Sequence, residues 1–302
     1  MRKIILFLII IMLFGFIILF LINQDKTKLV NTKSSRVNVV AAENFWGNIT
    51  SQIGGDYVSV TSIITDPSAD PHLYESDAHD ALAISNANII IVNGLGYDNF
   101  MDKLLLASPN SNRSILKVEQ VLNVTSDNTN PHLWYNTNRI AEVGLAIKNQ
   151  LSIKDPQDEQ FFTANLNKFI DSLKPILNTI NQIKIKYPNA PVGYTERVPG
   201  YLLTNTNLNV VSPLGFASAI EEGNDPSPAD TNAFEALISN HKIKVLIYNS
   251  QASSQATKHI RDLAEQSNIP VIGVTETLPL NEPNYQTWQL DQVNLLLTAL
   301  GG

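Results

Sequence analysis

DEQFFTANLNKFIDSLKPILNTINQIKIKY, residues 158–187, is the stretch on which the architecture of the chain turns. Phe162, Leu166, Phe169, Leu173, Ile176, Leu177, Ile180 and Ile183 recur at spacings of three and four, one apolar stripe along a helix. At about 1.5 Å per residue, thirty residues reach about 45 Å, enough to cross a whole domain. Pro175 lacks an N–H and crowds the preceding turn, so it is expected to kink or split the run. Pro188 ends it.

On both sides of this run, short β-type segments alternate with amphipathic ones. Before it, Val37–Ala42 and Tyr57–Ile64 read as strands, and Ile89–Val92 reads as a strand apolar enough to be buried on both faces. Glu43–Ile53 reads as a helix stopped by Gly54-Gly55, and Ser76–Ala87 as another. After it, Pro191–Tyr194, Leu208–Val211, Val245–Tyr248 and Pro270–Val274 read as strands. Ser227–Ser239, Ser253–Gln266 and Tyr285–Leu300 read as helices, the first opening on Ser-Pro, a good start signal. Strands alternating with helices at this spacing predict parallel sheets. The expected fold is α/β, two lobes with parallel sheets and flanking helices, joined by a long backbone helix. The expected segments are 1–24 membrane anchor or signal, 25–36 linker, 37–152 first lobe, 153–188 connecting helix and 189–302 second lobe.

Open parallel sheets bind ligands beyond the carboxyl ends of their strands, and two lobes offer a cleft between them. Two near-copies of one phrase fall in first-lobe loops: Asp70-Pro71-His72-Leu73-Tyr74 and Asn130-Pro131-His132-Leu133-Trp134. The proline gives each histidine a stiff, loop-like approach. Neutral imidazole is the commonest transition-metal ligand, and the chain has only five histidines. In the second lobe, Thr195-Glu196 follows one strand and Thr275-Glu276 another. Two imidazoles and two carboxylates would balance a divalent ion, so His72, His132, Glu196 and Glu276 form the candidate metal set. The donors suit zinc, manganese or ferrous iron better than calcium or magnesium, which prefer all-oxygen shells. His79, His241 and His259 read as structural or solvent-facing.

Composition narrows the classes further. There is no cysteine, hence no disulfide, no thiolate chemistry and no lipid-modified N-terminal cysteine. The formal net charge of −7 argues against a nucleic-acid partner. Met1-Arg2-Lys3 precedes an apolar run over residues 4–22 with no small-x-small cleavage pattern, which reads as an uncleaved anchor in preference to a removed signal, with the remainder facing outward, or secreted if the run is cleaved.

These phrases, in this order, resemble the solute-binding proteins of zinc- and manganese-type ABC importers. Asp70-Pro71-His72-Leu73-Tyr74-Glu75 is similar to the family's first ligand loop and Pro131-His132-Leu133-Trp134 to its second. Thr195-Glu196-Arg197-Val198-Pro199-Gly200-Tyr201 falls where members carry a His or Glu before a Gly-Tyr-like segment, and Val274-Thr275-Glu276-Thr277-Leu278 where the fourth ligand sits. Asp225-Pro226-Ser227-Pro228 and the strand and turn over 245–251 fit the second lobe, so the likeness spans residues 37–300. It implies an ion held between the lobes with only small lobe movements. It also implies a permease partner with its cytoplasmic ATPase, and action as a monomer on the extracytoplasmic face of a bacterial membrane. This chain departs from the pattern in having Glu276 where aspartate is usual, no histidine-rich loop, and no lipid-anchoring cysteine.

The reading is therefore a binding protein, not an enzyme, for one divalent ion, Zn2+ or Mn2+ before Fe2+. Carboxylate-rich ligation leans to manganese, and the general affinity order to zinc. A metallohydrolase would need a base, and the chain has neither a His-Glu-x-x-His helix nor a Gly-x-Ser-x-Gly elbow, leaving Glu43 or Asp66 unassigned. A surface adhesion or structural module holding metal incidentally is the other alternative.

Overall fold

The computed structural model describes residues 36–66, 74–124 and 129–302. His72 and the apolar N-terminal run thus lie outside the described residues, and no described helix is long and apolar enough to cross a membrane.

Two four-stranded sheets organise the described chain, and every strand pair is parallel. The first sheet holds β1 (Val37–Glu43), β2 (Val58–Ile64), β3 (Ile89–Val92) and β4 (Ser114–Lys117) in the order β2-β1-β3-β4. The second holds β5 (Pro191–Tyr194), β6 (Asn209–Val210), β7 (Leu246–Asn249) and β8 (Val271–Val274) in the order β6-β5-β7-β8. The period of two along each strand explains why both faces are covered. Val39 and Ala41 of β1, with Ile89 and Ile91 of β3, enter one large core; Val40 and Ala42, with Ile90 and Val92, enter a second. On β7 the same alternation sends Ile247 into the large core and Leu246 into a third. The large core is common to both sheets.

Helix α1 (Asn44–Gly54) follows β1 and closes on Gly55 at φ +52. Helix α2 (Ala78–Asn86) starts two residues later than its sequence suggests. Asp77 caps it by accepting from the His79 and Asp80 backbones, and Asp80 returns the contact to the Asp77 N–H. Next come α3 (Phe100–Ala107), the single turn α4 (Val118–Val121) and α5 (Ile140–Lys154).

The long run divides as Pro175 requires. Helix α6 (Glu159–Ser172) ends, Leu173 keeps right-handed helical geometry, and α7 (Lys174–Lys186) begins with Pro175 in its first turn, where no N–H is missed. Seven of the eight stripe residues are buried; Leu177 lies at the solvent edge, 36% exposed. The halves serve different lobes: α6 packs on α1 and α5, whereas α7 packs on the chain's last helix, α12 (Tyr285–Ala299). Helices α8 (Gly200–Asn205), α9 (Leu214–Glu221), α10 (Pro228–Ser239) and α11 (Gln255–Gln266) complete the second lobe. The strand expected over 208–211 contracts to two residues at the sheet edge.

One face of α1 ties the lobes together. Asn44, Asn48 and Gln52 stand four apart, so their amides share a line along the helix. Asn44 exchanges two hydrogen bonds with the Leu278 backbone, at 2.8 and 3.1 Å. Asn48 accepts from the Tyr285 N–H, and Gln52 and Gln286 pair amide to amide at 2.7 and 3.0 Å. Gln286 also donates to Ser172, beside the helix break.

Candidate metal centre

Strand ends position two of the three candidate ligands in the described residues, Glu196 and Glu276. Parallel pairing of β7 with β5 and with β8 sets the tip of β7 between the loops that leave its neighbours. The loop after β5 carries Glu196 and the loop after β8 carries Glu276, both nearly buried. Asn249, the last residue of β7, fills the space between them. Its Nδ2 donates to Glu196 Oε2 at 3.1 Å and to Glu276 Oε2 at 2.8 Å. The Gln251 side-chain oxygen accepts from the Glu276 and Thr277 N–H groups and fixes the loop backbone.

From the first lobe comes His132, 1% exposed, in the loop leading into the 3-10 turn Leu133–Tyr135. Its Nε2 lies 3.5 Å from Glu276 Oε1. The other ring nitrogen is 2.6 Å from Asn130 Oδ1. Asn130 Nδ2 donates to the Arg197 carbonyl at 2.7 Å, so the atom facing the imidazole is the acceptor oxygen. Nδ1 therefore carries a hydrogen, and Nε2 is the ring nitrogen that faces Glu276. Asn130 also couples His132 to the loop of Glu196, since Arg197 is the next residue. Gly200 makes this approach possible, because a Cβ there would lie 2.6 Å from Asn130 Nδ2. Arg197 itself is occupied by Glu221, which accepts from its guanidinium at 2.7 Å and from its backbone N–H.

Tyr97 completes the inter-lobe contact by donating to Glu276 Oε1 at 2.9 Å. Its loop bends through positive φ at Gly94, Leu95 and Gly96. Aromatic rings back the site: His132 meets Tyr97 and Trp134 edge-on, and Trp134 stacks on Phe45 at 4.3 Å. The Tyr135 hydroxyl donates to the Thr275 carbonyl at 2.7 Å; burial first, then the nearby Glu276 charge, pushes its pKa well above the usual tyrosine value. Two further acids lie in the first lobe, at the carboxyl end of its sheet. Asp98 accepts from the Asn93 and Gly94 N–H groups, yet burial pushes its pKa up to about 6. Glu43 is fully buried with neither oxygen hydrogen-bonded; burial, and then the Asp98 charge, pushes it well above the carboxylate range.

Three of the four expected ligands are thus brought together: His132 and Glu276 as a close pair, Glu196 joined to them through Asn249. Among the described residues no three His, Asp or Glu side chains, these three included, lie close enough together to hold a metal ion. The fourth, His72, falls outside those residues. His79 and His241 are exposed, and His259 is exposed and paired with Glu235. Asn249, Asn130 and Tyr97 were not anticipated. Asn249 stands where the carboxyl-end rule points, at the end of the strand between the two Thr-Glu loops. Asn130 is legible in the phrase that precedes His132.

The fold and site together define the class: a two-lobed α/β binding protein with candidate donors approaching from both lobes. The family model for ZnuA, described as zinc-uptake complex component A periplasmic, matches residues 39–299, and the chain belongs to that family. Members are the substrate-binding components of ABC transporters and not enzymes. The chain is 24% identical over 279 residues to the manganese ABC transporter substrate-binding lipoprotein scaA of Streptococcus gordonii, covering 87% of this chain and 86% of that protein. Among solved structures, the Mn-bound periplasmic metal binding protein from Candidatus Liberibacter asiaticus shares the fold at TM-score 0.73 and 22% identity, covering 87% of this chain and 98% of that one. The periplasmic zinc binding protein TroA from Treponema pallidum does so at 0.74 and 18%, covering 88% and 99%.

Proposed function

We propose that the protein captures one divalent transition-metal ion, Zn2+ or Mn2+, outside the cell membrane and delivers it to an ABC importer permease. The ion is the cargo, held by His72 and His132 from the first lobe and Glu196 and Glu276 from the second. The observation that carries this reading is the convergence of His132 Nε2 and Glu276 Oε1, 3.5 Å apart, from loops of different lobes. Two neutral imidazoles and two carboxylates leave a neutral complex when a divalent ion binds. The apolar run over residues 4–22 serves as the membrane anchor in a chain without cysteine, and the protein works as a monomer.

The purified protein is expected to bind one equivalent of zinc or manganese by calorimetry. At a hundredfold excess of metal over its dissociation constant, binding adds about 2.7 kcal/mol of stability, read as a rise in melting temperature. His132→Ala and Glu276→Ala should each weaken binding by at least about a hundredfold, because each leaves the partner donors without an ion-facing ligand. Wild-type affinity in both variants would sink the ligand assignment.

A further inference from the structure

Glu43 and Asn93, both fully buried, leave three acceptor atoms without a donor among the described residues: the two carboxyl oxygens of the acid and Oδ1 of the amide. The two residues stand together. Strand β1 pairs with β3 so that Ala41 lies opposite Ile91, and two residues on, the same register brings Glu43 to Asn93. Ala41 and Ile91 enter the large core, so the alternation along each strand turns Glu43 and Asn93 to that same face. The amide of Asn93 is already directed, since its Nδ2 donates to the Pro131 carbonyl at 2.9 Å and to the Gly94 carbonyl at 3.1 Å. A buried acceptor left without a hydrogen is costly, and the hydrogen of a neutral Glu43 carboxyl would satisfy acid and amide at once. Asp98, whose charge acts on Glu43, is the ionised member of the two acids, because each of its oxygens accepts from a backbone N–H. Through Asn93 the acid reaches the cargo site, for Pro131 immediately precedes His132.

We propose that Glu43 is a positioning residue for His132: it stays a neutral carboxylic acid, donates to Asn93 Oδ1, and so fixes the amide that holds the Pro131 carbonyl. An ionised Glu43 would turn a negative oxygen on Asn93 Oδ1 and press the amide to flip, which removes the Pro131 contact. This role rests on the reading of His132 as a cargo ligand.

The test combines infrared spectroscopy of the metal-free protein with zinc calorimetry, on the wild type, Glu43→Gln, Glu43→Leu, Asn93→Ala and His132→Ala. At neutral pH, where an ordinary carboxyl is ionised, the wild type minus Glu43→Gln spectrum should show the carbonyl band of a protonated carboxylic acid. Absence of that band would overturn the proposal. In Asn93→Ala the band should move to higher frequency, as it does when an acid loses its acceptor, and a band left in place would overturn the link to Asn93. Glu43→Leu should weaken zinc binding by about tenfold or more, and Glu43→Gln, which keeps a donor of the same shape, should recover most of that loss. Equal weakening in the two variants would overturn the proposal, since loss of a charge or of packing alone produces it. Unchanged affinity in Glu43→Leu would overturn it as well. The infrared bands decide protonation and the Asn93 link even should the leucine variant not fold. If His132→Ala binds zinc as the wild type does, the ligand reading itself is wrong. Loss of binding there with unchanged affinity in Glu43→Leu refutes the role of Glu43 alone.

Discussion

At the scale of single residues, the site depends on amides more than on additional charges. Asn130 selects the imidazole tautomer of His132 and ties that ring to the Glu196 loop of the other lobe. Such partners of a metal ligand are typically worth about 10–100-fold in affinity. Gly200 tests the arrangement from outside it. A methyl group there would meet Asn130 Nδ2 at 2.6 Å, so Gly200→Ala is expected to push the amide off both contacts and lower metal affinity by about tenfold or more. Calorimetric titration checks this; unchanged affinity would mean that Asn130 does not position His132.

At the scale of elements, the amide face of α1 can be tested directly. Asn44 satisfies both the N–H and the carbonyl of Leu278, a buried residue two positions beyond Glu276. Asn44→Ala strands those groups and should cost about 1–3 kcal/mol, read from the denaturation midpoint. How much of the architecture the sequence discloses also becomes clear at this level. The strands, their parallel pairing and the split at Pro175 are legible because each rests on a local signal: a run of β-branched residues, a spacing, a missing N–H. Helix α5 is absent from the sequence reading. Ile140, Val143, Ile147 and Leu151 form its buried stripe, with Gly144 buried among them. In the fold that glycine has a packing role, since a Cβ there would press on Leu166 and Phe169 of α6 at 3.2–3.3 Å. Glu196 and Glu276 were legible as residue types at strand ends, and His132 as part of a Pro-His loop phrase. What joins them was not, because Asn249 and Tyr97 act through partners 27 to 179 positions away.

At the scale of the whole molecule, the buried acids Glu43 and Asp98 set a pH dependence. Both have folded-state pKa values raised above those of the unfolded chain. The folded protein therefore keeps protons that the unfolded chain releases, and stability falls as pH rises. For Asp98 the loss runs from about pH 4 to about 6, and Glu43, raised well above the usual carboxylate range, adds to it. Each proton retained contributes a slope of about 1.4 kcal/mol per pH unit within its window. Glu43→Gln is expected to flatten the fall above the ordinary glutamate range, measured by denaturant titration of the metal-free protein at several pH values. A slope identical to the wild type would show that Glu43 is ionised in the folded state.

Helix α12 also decides how the two halves of the molecule stand or fall together. It lies against α7 and α1, and Tyr285, Trp288, Val293 and Leu296 belong to the core that both sheets share. With one apolar interior between them, the two sheets are coupled in stability: loosening α12 exposes the first lobe's core along with the second's.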